Sequence, residues 1–477
     1  MTRIDTIKRV NRWILIFIVF IYSSLFFLNL DSPFFWDAIL QVSKEGHKFF
    51  LTDFFTKPLP PQYETDLAYE GFFFPLMGFM TAVFWKILGY KLWVSHLIGY
   101  LCGLGLIYNT WLISKKMLPL KYAAWVTLIL LIEPTILSQL VVSSVDIIIY
   151  FAFALSVRSV LENKKWLLTI GVFVLCNIYI RGFFLCVILF AADFYYNYWK
   201  SNEKSLNGLW KFVFPYIPGF IFLLLTAVHY FYNNSNLVGS SSEHYQMPGN
   251  GLAVIKNLAI FIVRSVEHGR FFIWILFLYV GYRLFKAKLF TRDARFLLSI
   301  FLLHLGLYVL FIFISQMPFS NRYFIPHFYL ITLIMFWGIV RLELSKKLKL
   351  IIPIVVFLEV TGSLWVYPPP ASNSWDCTLA HLPYYELRKE CFEYMDNNKI
   401  DYKDVSAGFC LYGKRHFPEL NNNDEIISQS LDNKYFIYSN ISNLPDETIA
   451  ELTTSGKWKN NKEFKKGFIT IVLYEKK

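Results

Sequence analysis

Long apolar runs separated by short polar loops recur through the first 366 of the 477 residues. A run of about 20 apolar residues has the length of a helix crossing the hydrocarbon core of a bilayer, where only internally bonded backbone is stable. Eleven runs have this character: 13–30, 92–114, 122–140, 147–162, 167–180, 183–199, 212–231, 271–285, 296–316, 323–341 and 350–366. The chain is 56% hydrophobic and 17% charged, whereas a water-soluble domain carries about 25% charged residues. That excludes an ordinary cytosolic enzyme and a disordered chain, and 6 Cys are too few for a disulfide scaffold. No small-residue cleavage site follows the first run in Asn29-Leu30-Asp31-Ser32-Pro33, so 13–30 is expected to remain as the first span. The expected fold class is mainly α, a polytopic helical membrane protein with about 11 transmembrane helices.

The net charge of +12 would suggest nucleic acid in a soluble protein. Its distribution says otherwise. With the N-terminus inside and the apolar segment 71–89 not crossing, the inside loops hold 22 Lys and Arg and the longer outside loops only ten. Cytoplasmic loops retain Lys and Arg, and the ordering inverts if 71–89 crosses. That segment is therefore expected to lie in the outer interface, which suits its Trp85, Lys86 and Tyr90. The excess charge is a cytoplasmic fringe, and no nucleic-acid partner is expected. Richness in Asn, Lys, Ile and Phe suits a bacterial chain, which places it in the inner membrane.

Beyond Pro368-Pro369-Pro370 the texture changes. Residues 371–477 carry 14 Lys and Arg against 16 Asp and Glu, with no run long enough to span. A helix-like stretch, 385–395, and strand-like runs at 435–438 and 468–473 predict a small soluble α/β domain, hinged at the prolines and lying outside. The chain thus divides into a membrane domain, 1–366, and an external domain, 371–477. Cys377 and Cys391 are the suggested pair for one bridge there, leaving Cys410 odd.

Ionisable groups on the outer side are the candidates for chemistry, because charge at an apolar boundary is costly unless paired or used. Asp37 follows Phe34-Phe35-Trp36 directly after the first span, among rings that keep water away. It suits a general base acting on an acceptor, and equally an N-cap for a helix over 38–46. Asp146 follows Glu133-Pro134-Thr135, Ser138 and Ser143-Ser144, as a second acid or as the N-cap of span four. Arg181 stands in the short outer turn between spans five and six, and Arg322-Tyr323 opens span ten. Guanidinium groups at this depth suit a phosphate carried on a lipid or simple headgroup contact. Arg264 and Arg270 offer the same two readings. Glu70, Trp36, Lys57 and His268 are further candidate substrate contacts. His47, His244 and His268 with Glu70 show no metal-ligand spacing, so no metal and no other cofactor is expected. Residues 233–251 resemble a mobile lid followed by an amphipathic helix over 252–266.

Several of these features, in this order, resemble the GT-C superfamily of polyprenyl-phosphate-sugar glycosyltransferases, the class of the protein O-mannosyltransferases and the lipid A aminoarabinose transferase. They are the aromatic-flanked Asp37, the interfacial segment ending Phe84-Trp85-Lys86-Ile87-Leu88-Gly89, the stretch from Glu133-Pro134 to Ser143-Ser144-Val145-Asp146, and Arg322-Tyr323-Phe324-Ile325-Pro326. The resemblance covers about 1–366. It implies a catalytic base at Asp37, a lipid-linked phosphate held by Arg322, Tyr323 and Arg181, and an accessory acid at Asp146. Two positions differ from the family pattern. The His-Pro-Pro often found at the start of the interfacial helix reads Phe73-Phe74-Pro75 here, and Asp37 is followed by Ala38 where many members have Glu.

The resemblance implies an inverting transferase, active on the external face as a monomer among membrane lipids. Its donor would be a polyprenyl-monophosphate sugar and its acceptor a protein, glycolipid or glycan. A polymerase or ligase using lipid-diphosphate donors is the enzymatic alternative. A transporter is the non-enzymatic one, and it predicts ionisable residues at mid-membrane and inverted repeats. Glu133, Asp193, His229, His304 and Glu359 fall in or near spans, but no repeat is visible.

Overall fold

A computed structural model describes all residues except 1, 55, 64–66, 68–73, 200–204, 235–247, 315–318, 369–372, 422 and 443. Glu70, most of the expected lid, His244 and Pro369-Pro370 lie outside the described residues. Each of the eleven apolar runs is helical over most of its described residues. Helix α1 (Arg3–Leu28) starts from a capping box between Thr2 and Asp5, the reciprocal arrangement that satisfies two otherwise orphaned N–H groups. Helices α2 (Glu45–Leu51) and α3 (Leu76–Leu88) belong to the long loop that follows α1. At 13 residues, α3 is about 20 Å long against a hydrocarbon core of about 30 Å, and 14-residue Lys165–Ile178 is hardly longer. Helix α3 packs on α2 through small residues: a Cβ at Gly46 would stand 2.8 Å from Thr81.

The membrane helices follow as α4 (Leu92–Met117), α5 (Leu120–Leu131), α6 (Pro134–Val142), α7 (Val145–Glu162), α8 (Lys165–Ile178), α9 (Ile180–Asp193), α10 (Leu206–Val213) and α11 (Ile217–Asn234). Then come α12 (Gly251–Val266), α13 (Arg270–Lys286), α14 (Arg292–Ile314), α15 (Ile325–Arg341) and α16 (Leu348–Thr361). Among the described residues, five helical stretches are long and apolar enough to cross by themselves: Ile4–Leu28, Leu92–Met117, Ile180–Trp199, Arg292–Ile314 and Asn321–Arg341.

Two expected spans are broken rather than straight. The run 122–140 bends by 58° between α5 and α6, where Pro134 starts the new helix and the Glu133 side chain caps it by accepting from Ile136 N–H. The run 212–231 bends by 63° between α10 and α11 at Phe214-Pro215-Tyr216, because proline cannot continue the i→i−4 ladder. Helix α6 then ends on Ser143 at φ +53°, and Ser144 caps α7 by accepting from Asp146 N–H. Three short turns of chain thus bring Glu133, Ser138, Gln139 and Asp146 together at one end of the bundle.

The tail is the expected α/β unit. Strands β1 (Val405–Ala407), β4 (Tyr435–Ser439), β5 (Trp458–Lys466) and β6 (Ile469–Lys476) form a sheet in the order β1-β4-β6-β5, with β1 and β4 parallel and the other pairs antiparallel. A separate two-stranded ladder joins β2 (Gly413–Lys414) and β3 (Ile426–Ile427). Helix α17 (Pro383–Asn397) buries Leu387, Cys391 and Met395, one stripe at i, i+4 and i+8. Helices α18 (His416–Glu419) and α19 (Asp446–Thr454) complete it. The suggested Cys377–Cys391 bridge is not formed and all six thiols are free, because Cys377 faces Ser320 at 3.2 Å while Cys391 is committed to the tail core.

The tail is also bonded along the loop that follows α1. Phe34 N–H donates to Pro418 O at 2.8 Å, Ser43 Oγ to Phe417 O at 2.6 Å, and the Phe35 and His381 rings stack at 4.8 Å. The loop between α12 and α13 is equally tight. Gly269 has φ +87°, and a Cβ there would meet Leu358 O at 2.6 Å. Gly269→Ala is expected to cost about 2 kcal/mol or more, since it adds strain at positive φ to a backbone clash. A lowered midpoint of thermal unfolding in detergent checks this.

Candidate functional site

Helix ends deliver the charged groups of the outer boundary to one place. Asp37 lies just past Trp36, whose φ of +50° is a strained choice for a bulky residue. Arg322 lies in the 3₁₀ turn Asn321–Phe324 that leads into α15, and its carbonyl accepts from the Tyr150 hydroxyl. Its guanidinium is the hub. Nη2 pairs with Asp37 Oδ2, Nη1 with Asp376 Oδ2 at 2.8 Å, and Nε faces Asp146 Oδ2 at 3.6 Å without a hydrogen bond. Arg181 Nη2 donates to that same Asp146 oxygen at 3.1 Å.

Arg181 occupies the first turn of α9, the wrong end of a helix dipole for a cation. Asp146, favourably placed in the first turn of α7, offsets this. The Arg181 plane also lies over two rings, Tyr323 at 4.5 Å and Tyr179 at 4.9 Å, a cation–π arrangement that holds it flat.

Neither acid takes the capping role open to it. The helix-like turn after Asp37 has no side-chain cap, and α7 is capped by Ser144. Exposure separates the acids: the Asp37 side chain is 28% exposed, Asp146 2% and Asp376 8%. Arg322 is 7% exposed, yet its Nε has no hydrogen-bond partner among the described residues, and neither has Arg181 Nε or Nη1. Buried N–H groups are nearly always satisfied. The site therefore holds buried cationic N–H groups on two arginines, gathered around Asp146, that lack hydrogen-bond partners among the described residues.

Other expected site residues stand apart. Arg270 is fully buried and spends its guanidinium on the protein: Nε and Nη2 on Glu133, Nη2 on Thr135 Oγ1 at 2.7 Å, and Nη1 on Asn321 O at 3.2 Å. It braces the α5–α6 break and has no donor group left over for a phosphate. His268 is buried beside it. Lys57 is a surface residue paired with Asp53 at 3.4 Å. Trp36 adjoins Asp37 and meets the tail's Phe409 edge to face at 5.4 Å. Asp193 is absorbed by Asn197 and by Tyr216 at 2.7 Å.

Asp376, which completes the hub, was not among the expected site residues. The signal for it is the dipeptide Trp375-Asp376, which repeats the Trp36-Asp37 pattern of an acid shielded by an indole. A polar seam also went unread: His47 bonds Tyr90, and Tyr90 lies 3.1 Å from His416 of the tail.

No protein-family model and no curated protein matches this chain. Solved structures do. ArnT from Cupriavidus metallidurans in the apo state is 12% identical with a TM-score of 0.54, covering 98% of each chain. ArnT from the same organism bound to undecaprenyl phosphate is 12% identical with a TM-score of 0.50, over 96% of this chain and 97% of that one. The Archaeoglobus fulgidus oligosaccharyltransferase complex with Zn and sulfate is 14% identical over 76% of this chain and 54% of that one, with a TM-score of 0.40. The fold of this chain is similar, over nearly its whole length, to that of the two ArnT structures. A chain folded in this way is a multi-pass integral membrane protein, with its small sheet at the C-terminal end.

Burial holds three imidazoles outside the spans neutral. His47 is pushed down to about 3, His268 to about 3 and His381 to about 4, from the ordinary 6.5. Between pH 6.5 and those values the unfolded chain binds more protons than the folded one, so stability falls as pH drops through that window. Each group contributes a slope of up to about 1.4 kcal/mol per pH unit. Thermal unfolding followed from pH 7 to 4 is expected to show this loss, and His47→Asn to reduce its slope. Arg270→Gln, which strands Glu133 as a buried charge, is expected to cost about 3–5 kcal/mol, read as a lost yield of folded protein.

Proposed function

We propose that this protein transfers a sugar from a polyprenyl-phosphate donor to an acceptor on the external face of a bacterial inner membrane. The observation that carries the reading is the set of buried N–H groups, two on Arg181 and one on Arg322, that have no partner among the described residues and lie near a half-open carboxylate. A phosphate is the chemical complement of such groups, since guanidinium donors match its oxygens in fork geometry. The ArnT fold, known in a complex with undecaprenyl phosphate, supports a lipid phosphate in particular.

Roles follow from access. Asp37 is the only acid of the hub that an acceptor reaches, and it serves as the general base. The acceptor gives its proton to Asp37 and its oxygen or nitrogen bonds to the anomeric carbon. The bond from that carbon to the phosphate oxygen breaks, leaving its electron pair on the phosphate. Attack opposite the leaving group inverts the centre, so the hub needs no second carboxylate as nucleophile. Asp146, buried between both arginines, holds the two guanidiniums together around the phosphate position, and the Tyr323 ring supports Arg181. Trp36 shields Asp37 on the tail side. The protein works as a monomer without a bound cofactor, and its acceptor is a protein, glycolipid or glycan.

Asp37→Asn is expected to lower transfer about 10³-fold while leaving donor binding nearly intact, the signature of a lost base. Arg181→Ala removes charge-assisted bonds worth about 1.5–3 kcal/mol, and is expected to raise the donor KM about 10- to 100-fold. Transfer from radiolabelled polyprenyl-phosphate sugar into membrane extracts, with donor retention measured on purified protein, checks both. Full activity of Asp37→Asn would overturn the proposal.

A further inference from the structure

The reaction above leaves Asp376 without a task. We infer that Asp376 governs release of the spent lipid phosphate, a role that rests on the phosphate reading of the hub. The donor is a phosphodiester with one negative charge. Breaking the bond to the anomeric carbon leaves a phosphomonoester, whose charge at pH 7 is about −1.5 to −2. Two guanidiniums that hold the donor therefore hold the product harder, and a site made of arginines alone would be blocked by its own product.

Asp376 opposes this, and it is fixed in position to do so. Its carboxylate lies 2.8 Å from Arg322 Nη1, and its main-chain carbonyl accepts from Ser138 Oγ at 2.7 Å and from Gln139 Nε2 at 2.6 Å. Both partners are on α6. The turn that carries the acid cannot retreat when the lipid enters. The other acids are less able to act at this stage: Asp37 has just accepted the acceptor's proton and lost its charge, and Asp146 is shared between two arginines. Repulsion scales with charge, so a fixed carboxylate penalises the dianion about twice as much as the monoanion. Asp376 trades affinity for turnover. It is a specificity-determining residue that favours donor over product, supplied by the turn that joins the membrane helices to the tail.

The test is product inhibition of the full-length protein in detergent by a polyprenyl monophosphate. In Asp376→Asn the inhibition constant is expected to fall about tenfold or more and the donor KM by less, with kcat reduced because release slows. Asp376→Glu keeps the charge and is expected to stay within about twofold of the wild type. Asp376→Ser removes the same charge with a smaller side chain and carries the same expectation as Asn, should Asn not be tolerated. A merely structural partner of Arg322 would weaken lipid binding when lost, so a raised or unchanged inhibition constant in the neutral variants overturns the inference. If the wild-type chain neither transfers sugar nor binds the lipid phosphate, the proposed function falls and this role with it. If the wild type does both and the neutral variants match it, only the role of Asp376 falls.

Discussion

The buried guanidinium of Arg322 is the constraint on which the outer end of the molecule depends. A lone cation sealed from water would cost several kcal/mol, and this one is 7% exposed. It is tolerable only because carboxylates from three remote parts of the chain converge on it, Asp37 after α1, Asp146 at the start of α7 and Asp376 at the entry to the tail. The broken helix α5–α6 is what makes that convergence possible. A straight helix through 122–140 would carry Ser138 and Gln139 away from the turn that they hold, and Asp376 would lose its fixed position.

Compensation is deliberately incomplete. Three acids meet two arginines, yet N–H groups on both guanidiniums stay without partners among the described residues. By contrast, the neighbouring pair of Arg270 and Glu133, sealed and saturated, uses the same side-chain chemistry for bracing alone. The two clusters therefore differ in how completely their donors are bonded. That difference is visible only when every donor is followed to its partner.

Much of this was legible in the residues. Apolar runs are strong signals, and the described part of each is largely helical; the sidedness of Lys and Arg set segment 71–89 apart as an interfacial expectation. Asp37, Asp146, Arg181 and Arg322 stood out because each is an ionisable residue at the end of an apolar run, where chance charges are rare. Asp376 did not, because it belongs to a tail with 16 acids where one more carries no information. The bends at Pro134 and Pro215 were equally hard to see, since hydropathy is blind to direction and a kinked run averages like a straight one. Arg270 and His268 are outer-side residues by sequence and were grouped with the site for that reason. Only the packing showed that they face inward, to a different cluster.

The bonds from Ser138 and Gln139 to the carbonyl of Asp376 have a consequence for how the protein comes into being. The charge hub draws on residues from position 37 to position 376, so the ribosome must finish nearly four-fifths of the chain before its last carboxylate exists. The carbonyls of Phe417 and Pro418, which the loop after α1 needs as acceptors, come later still. Until then Arg322 sits at the membrane boundary with part of its compensation missing. A half-made chain is thus a membrane protein without its charge hub, which is complete only when the C-terminal residues have folded back onto the loop after α1.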